Sequence, residues 1–215
     1  STELELFGHT FKYPIFAGPV GAVAMHYSDA YDDNGYNDIL VKGCIEAGIC
    51  AFTGDGKDPS IMENATRIIK ENNGYGIPTV KPWSLETYLE KLNLALNSNA
   101  FAVAMDVDAA GLHFLKGCQP PAGIMNTEQL KAIISNTPVP FIVKGVMSVK
   151  GALKAKEAGA SAIVVSNHGG RVQDQTPATA EVLEEIVKAV DGSMKIFVDG
   201  GLRNGVDIFK ALALG

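Results

Sequence analysis

The segment SNHGGR, residues 166–171, places a histidine and an arginine three positions apart with two glycines between them. Arg171 supplies a planar guanidinium that can bind a carboxylate through two parallel hydrogen bonds. His168 can accept or donate a proton near neutral pH, although an isolated histidine is more often structural. The glycines allow the backbone to approach a flat ligand closely. The spacing therefore predicts a site that holds a carboxylate-bearing substrate against a planar group.

This segment follows a short run of apolar residues, and the same arrangement recurs along the chain. Seven runs rich in Val, Ile and Phe occupy residues 13–20, 48–55, 76–82, 100–108, 140–146, 161–168 and 195–201. Continuous apolar runs are typical of parallel strands buried on both faces. Amphipathic helical patterns lie between the runs, at residues 37–48, 60–73, 84–97, 126–136, 149–159 and 179–190. Regular alternation of strand and helix predicts an α/β fold with a parallel sheet.

Polar residues at the ends of the strands favour a barrel over an open sheet. The stretch AGPVGAV after the first strand lacks the GxGxxG spacing of a doubly wound dinucleotide fold. A ring of polar strand ends is typical of the catalytic face of a TIM barrel. The residues of this ring are Pro19, Thr53, Asp55, Lys81, Asp106, Asp108, Lys144, Ser166, His168 and Asp199. We expect one TIM (β/α)8 domain over residues 1–215, with the eighth strand missing from this chain because the sequence stops after FKALALG.

Composition excludes several classes of partner. The formal net charge is -6 and no run of Lys or Arg occurs, so we expect no nucleic-acid partner. Cys44, Cys50 and Cys118 show no metal-ligand spacing, which predicts free thiols and no metal site. No apolar segment approaches the roughly 20 residues that span a bilayer, and the N-terminal segment lacks the layout of a signal peptide. We therefore predict a soluble, cytoplasmic protein without a membrane partner.

Three motifs together carry a specific resemblance. SNHGGR, the VKGV before it and the VDGGLRNGVDIFKALALG after it resemble the FMN-dependent 2-hydroxy acid dehydrogenase and oxidase family. The resemblance is strong over residues 140–215 and continues more weakly back to residue 7. It implies a TIM barrel with FMN as cofactor, and oxidation of a small 2-hydroxy acid to the 2-oxo acid with flavin N5 as hydride acceptor. Oxygen or another electron acceptor then reoxidises the flavin, and a homo-oligomer is compatible with this family.

The resemblance also implies a role for individual residues. His168 takes the proton of the substrate, Asp108 pairs with His168 and stabilises its protonated form, and Arg171 binds the substrate carboxylate. Lys144 lies beside the part of the flavin that gains negative charge on reduction, and Ser166 bonds the edge of the ring. The remaining residues implied to contact the cofactor are Pro19, Val20, Gly21, Thr53, Lys81, Asp106, Asp199, Gly200, Gly201 and Arg203.

Two departures from the family pattern bear on the substrate. Lys81 stands where the family has a glutamine, and Asp106 stands where it has a threonine. Two alternatives stay open beside 2-hydroxy acid oxidation. One is another FMN-barrel enzyme of the isopentenyl diphosphate isomerase type, against which His168 and Arg171 argue. The other is a truncated, non-catalytic barrel module. The sequence leaves open which 2-hydroxy acid is used, which acceptor takes the electrons and how many subunits assemble.

Overall fold

The computed structural model describes residues 2–27 and 29–215, which divide into two compact units. The first unit runs to Lys81 and then covers Glu86–Ala104. The second consists of Pro82–Leu85 and Met105–Gly215. The expectation of one domain over residues 1–215 stays a prediction.

The first unit begins with a hairpin and continues as alternating parallel strands and helices. Its elements are β1 Leu4–Leu6, β2 His9–Phe11, β3 Phe16–Ala17, α1 Val23–His26, α2 Asp33–Ala47, β4 Cys50–Thr53, α3 Pro59–Glu71, β5 Ile77–Val80 and α4 Leu85–Asn97. β1 and β2 pair antiparallel, whereas β4 pairs parallel with β3 and with β5. The β1–β2 hairpin lies before the first apolar run and was not predicted from the sequence.

Local signals set the helix boundaries of this unit. α2 begins after Asp32, whose Oδ1 accepts a hydrogen bond from the amide of Gly35 at 2.7 Å. It ends at Gly48, which has a left-handed φ of 75° that glycine adopts without strain. α2, α3 and β4 then bury apolar side chains against one another, and the cluster is formed by Val41, Cys44, Ala51 and Ile68.

The second unit repeats the strand–helix alternation. β6 Val103–Asp106 crosses the boundary, because its first two residues belong to the first unit and its last two to the second. The elements that follow are α5 Thr127–Ser135, β7 Phe141–Val146, α6 Val149–Glu157, β8 Ala162–Val165, α7 Thr179–Val190, β9 Lys195–Val198 and α8 Gly205–Ala213. β8 pairs parallel with β7 and with β9. Each of the seven predicted strands and six predicted helices overlaps an observed element, although α2 begins four residues earlier than predicted, so the parallel α/β prediction is confirmed.

One irregularity in β7 matters for the site. Lys144 pairs with Val164 and Val146 with Val165, so Gly145 is an extra residue in β7 relative to β8. Its φ is 99°, which disfavours any residue with a Cβ. Bulges of this kind change the direction of neighbouring side chains and are frequent beside active sites. The bulge lies directly after Lys144, at the carboxyl end of the strand.

Candidate active site

A histidine–aspartate pair with little solvent exposure lies in the second unit. His168 opens the 3-10 turn His168–Gly170 after β8, with a left-handed φ of 58°. Its Nδ1 lies 3.0 Å from Asp108 Oδ1, and the two side chains are 6% and 12% exposed. The amide of His168 donates to Ser166 Oγ at 3.2 Å. These contacts hold the strained residue in place, as is common at functional sites.

The extra glycine of β7 makes room for this aspartate. A Cβ on Gly145 would lie 2.3 Å from Asp108 Cγ, far inside the contact distance of two carbon atoms. Asp108 follows β6 in the 3-10 segment Val107–Gly111. Gly145 of the VKGV motif therefore leaves room for Asp108 because it has no side chain. The same motif contains Lys144.

Lys144 connects the histidine loop to the end of β9. Its Nζ donates to Ser166 Oγ at 3.0 Å and lies 3.5 Å from Asp199 Oδ2. The lysine side chain is 5% exposed, so its charge lies within the unit, whereas Asp199 is partly open to solvent. Ser166 thus accepts from both Lys144 and the backbone of His168. A buried cation in this position can stabilise negative charge that develops on a bound ligand.

A second carboxylate lies on the other side of the imidazole ring. Asp106 Oδ2 is 3.9 Å from His168 Nε2, and the side chain of Asp106 is buried. Asp106 was predicted to contact the cofactor, and its position beside His168 was not predicted. The only available signal was the spacing of Asp106 and Asp108 at the end of one strand. His168 thus lies between two aspartates, one near each ring nitrogen.

Arg171 lies at the edge of the same loop. Its Nε donates to the carbonyl oxygen of His168 at 3.3 Å, and the residue is exposed. Gly169 and Gly170 have φ values of 67° and 76°, and a Cβ on either would meet no atom within 4 Å. The two glycines therefore permit the backbone turn and leave open space between His168 and Arg171.

The segment after β9 contains the predicted cofactor residues Asp199, Gly200, Gly201 and Arg203. The amides of Arg203 and Asn204 both donate to Asp207 Oδ2, at 2.9 and 3.3 Å. These two amides are therefore engaged in capping α8, and the exposed Arg203 guanidinium is the charged group available to a phosphate. Gly200 and Gly201 precede it with positive φ values of 98° and 77°.

The remaining predicted cofactor residues, Pro19, Val20, Gly21, Thr53 and Lys81, belong to the first unit. A Cβ on Gly21 would lie 2.6 Å from the carbonyl oxygen of Asp55, so the segments after β3 and β4 pack backbone against backbone. Thr53 is fully buried, and within the described residues its Oγ1 has no hydrogen-bond partner. A buried hydroxyl of this kind is suited to a bound ligand, because burial without a partner is costly.

A buried ion pair, not predicted from the sequence, supports the loops of the first unit. Lys91 Nζ on α4 lies 2.6 Å from Asp55 Oδ1. Asp55 also accepts hydrogen bonds from the amides of Gly56 at 2.8 Å and Lys81 at 3.1 Å. Asp55 was predicted as a polar residue at a strand end. Lys91 has the position of an ordinary surface lysine in the helical pattern, so the sequence does not indicate that it is buried.

The cysteines are free thiols, as predicted. Burial, with a smaller contribution from nearby Cys44, raises the pKa of the Cys50 thiol to about 12. Burial also raises the pKa of Cys44. Because the thiolate is the reactive form, these residues are poor nucleophiles. Across residues 2–27 and 29–215, no three His, Cys, Asp or Glu side chains are grouped as metal ligands, and no helix has the length and apolarity to cross a membrane.

Solved structures of similar fold include two oxidases. A lactate oxidase of Pediococcus acidilactici matches with a TM-score of 0.81 and 26% identity, over 100% of this chain and 64% of that one. A mandelate oxidase variant with (S)-mandelic acid matches with a TM-score of 0.83 and 27% identity, over 100% of this chain and 66% of that one. These neighbours are TIM barrels, and the predicted fold class is confirmed.

Curated relatives match the chain over shorter segments. A peroxisomal (S)-2-hydroxyacid oxidase of Arabidopsis thaliana is 56% identical over 81 residues, which are 38% of this chain and 22% of the relative. A glycolate oxidase of Spinacia oleracea is 53% identical over 79 residues, 37% of this chain and 21% of the relative. The prediction of a cytoplasmic protein is wrong, because similar proteins are named as peroxisomal.

A family profile also matches the sequence, over more than half of the chain. The profile described as FMN-dependent dehydrogenase covers residues 70–215, which include every predicted site residue of the second unit and Lys81. The identity of the cofactor predicted from the sequence, FMN, agrees with this family. The chain therefore belongs to the FMN-dependent dehydrogenase family.

Proposed function

We propose that the protein oxidises a small 2-hydroxy acid to the corresponding 2-oxo acid. The observation that carries this proposal is the buried pair of His168 Nδ1 and Asp108 Oδ1, 3.0 Å apart. The pair directs the other ring nitrogen, Nε2, toward the role of proton acceptor. Family membership supports a flavin as the partner in the oxidation.

The residues present fit an FMN group. Lys144 supplies a buried positive charge, held by Ser166 at 3.0 Å, that can stabilise a reduced, anionic flavin. In the same unit, the exposed Arg203 guanidinium offers a positive charge to a phosphate. When bound, FMN supplies the acceptor for the hydrogen and two electrons that leave C2 of the substrate.

The histidine pair performs the proton transfer of the reaction. An ionised Asp108 accepts a hydrogen bond, so Nδ1 of His168 carries a proton and Nε2 of the neutral ring is free to accept another. As the 2-hydroxyl loses its proton to Nε2, the ring becomes positively charged. Asp108 stabilises that charge and keeps the ring in its orientation, the same role that an aspartate has in a hydrolytic triad.

Arg171 holds the substrate carboxylate. Its Nε is already bonded to the backbone of its own loop, which leaves the terminal nitrogens of the guanidinium to bind a carboxylate. Because Arg171 and His168 lie on the same short turn, the carboxylate and the hydroxyl of one small molecule can engage them together. A 2-hydroxy acid carries these two groups on adjacent carbons.

The names of relatives support the substrate class and the acceptor. Some relatives are named 2-hydroxyacid oxidases and others glycolate oxidases, and the structural neighbours include a lactate and a mandelate oxidase. These names favour oxygen as the acceptor that reoxidises the flavin. The chain spans about two thirds of the solved structures and about a fifth of the curated relatives that it matches.

The test is a change in the flavin spectrum. The purified protein with FMN is mixed without oxygen with glycolate, lactate, glycerate and mandelate in turn. At least one of these acids is expected to bleach the flavin absorbance, and admitted oxygen is expected to restore it. Bound flavin that no 2-hydroxy acid bleaches would contradict the proposed function.

A further inference from the structure

We propose that Asp106 is a second catalytic carboxylate, which together with His168 Nε2 receives the proton of the substrate hydroxyl. This inference rests on the proposed function. It assigns to Asp106 a role in the chemistry rather than the contact to the cofactor that the sequence predicted. The observation behind it is the position of a buried carboxylate oxygen 3.9 Å from the ring nitrogen that the mechanism requires to act.

The distance is suited to one shared oxygen atom. Oδ2 of Asp106 and Nε2 of His168 are too far apart for a direct hydrogen bond. An oxygen atom placed about 2.8 Å from each would contact both, with an angle of about 90° at the oxygen. The hydroxyl of a bound 2-hydroxy acid would therefore face two acceptors, one on each side of its single proton.

Burial determines what the pair does with that proton. The side chains of Asp106 and His168 are only 4% and 6% exposed, so an added positive charge would be poorly solvated there. If the proton goes to a neutral His168, the result is a close ion pair with an anionic Asp106. If it goes to Asp106, both groups are neutral. In both cases the carboxylate offsets the new charge, and Asp108 contributes from the Nδ1 side.

In the oxidation step, the substrate loses a proton from its hydroxyl group and a hydride from C2. The O–H bond of the substrate breaks and its proton passes to the Asp106–His168 pair, while the electron pair of that bond forms the carbonyl. The hydrogen on C2 would leave as a hydride, with the electron pair of the C–H bond, and a bound oxidised flavin would supply its acceptor. The product carries a carbonyl oxygen where the substrate had a hydroxyl.

Asp106 would also distinguish the substrate from the product. The substrate hydroxyl can donate a hydrogen bond to Oδ2, whereas the carbonyl oxygen of a 2-oxo acid can only accept one. An ionised Asp106 therefore favours the hydroxy acid and disfavours the oxo acid at the same position. Neutralising the carboxylate as an amide gives a group that can donate to the carbonyl.

The experiment compares Asp106→Asn with the parent and with Asp174→Asn. Asp174 is exposed on the loop after Arg171, so its variant removes one negative charge outside the site. Two quantities are measured: the rate of anaerobic flavin reduction by a saturating 2-hydroxy acid, and the dissociation constant of the matching 2-oxo acid. We expect Asp106→Asn to slow reduction at least about tenfold and to bind the oxo acid several-fold more tightly, since hydrogen bonds to charged groups are the strong ones. Asp174→Asn should match the parent in both.

The outcomes separate this inference from the proposed function. A parent that binds FMN but is not reduced by any 2-hydroxy acid contradicts the proposed function itself. A reactive parent with an Asp106→Asn variant of equal rate and equal affinity for the oxo acid overturns only the role of Asp106. If the Asn variant does not retain flavin, Asp106→Thr is measured in the same way. Loss of flavin from both variants also overturns the inference, because Asp106 would then be needed to hold the cofactor.

Discussion

Replacing Gly145 with alanine tests how the backbone of β7 positions the histidine pair. The new Cβ would lie 2.3 Å from Asp108 Cγ, whereas carbon atoms in contact are about 3.5 Å apart or more. Asp108 or β7 must therefore move by about 1 Å. A misplacement of that size at a catalytic group can lower a rate by about 10²-fold. The φ of 99° adds a backbone penalty of about 1–2 kcal/mol for a residue with a Cβ.

Gly192→Ala provides the matched control. Gly192 also has a positive φ, 67°, but a Cβ there would meet no atom within 4 Å. Gly192→Ala should lose stability only because alanine disfavours this backbone conformation. Gly145→Ala should lose about 1–3 kcal/mol more in free energy of unfolding, because its side chain overpacks the site. Urea unfolding measures the stability of both variants, and anaerobic stopped-flow absorbance measures flavin reduction. Reduction of Gly145→Ala at the parent rate would refute the claim that this glycine positions Asp108.

Three further predictions follow from the described contacts. Arg171→Lys should raise the dissociation constant of the 2-hydroxy acid and slow flavin reduction, because an ammonium cannot form the bidentate contact; equal titration curves and equal reduction rates would contradict it. Asp55→Asn should lower the free energy of unfolding, measured in urea, by about 3–5 kcal/mol because buried Lys91 loses this ion pair. Adding Lys91→Met to this variant should restore part of the lost stability. Burial raises the pKa of Cys50 to about 12, so the thiol ionises in the unfolded state before it does in the folded state. The free energy of unfolding of the parent should therefore fall relative to that of Cys50→Ala as pH rises above about 9. Parallel curves of unfolding free energy against pH for the two proteins would contradict this.

Much of the fold could be predicted because local and long-range signals agree. The apolar runs FIVKGV and AIVV form β7 and β8. Asn126 and Ser148 are the N-caps of α5 and α6, at the predicted starts of these helices. The β1–β2 hairpin was missed because each of its strands has three residues, too few to show a periodic pattern.

The candidate site was predicted in its residues but not in its arrangement. The pair of His168 and Asp108 was predicted through the resemblance, and the structure brings the two side chains together across 60 positions of sequence. The place of Asp106 beside Nε2 depends on how β6 ends in a 3-10 turn, which the pattern of residues did not reveal. The Asp55–Lys91 pair likewise depends on the packing of α4, and helical spacing alone gives Lys91 no distinguishing mark.

In the proposed reaction, His168 and its aspartates remove the proton of a 2-hydroxy acid as the flavin is reduced. The most direct measurement is a single turnover without oxygen, in which 2-oxo acid formed and flavin bleached are both quantified. We expect one 2-oxo acid for each flavin reduced by the parent, and reduction slowed by about 10²–10⁴-fold in His168→Gln with FMN still bound. A His168→Gln variant that is reduced at the parent rate, or a flavin that is bleached without formation of 2-oxo acid, would contradict it.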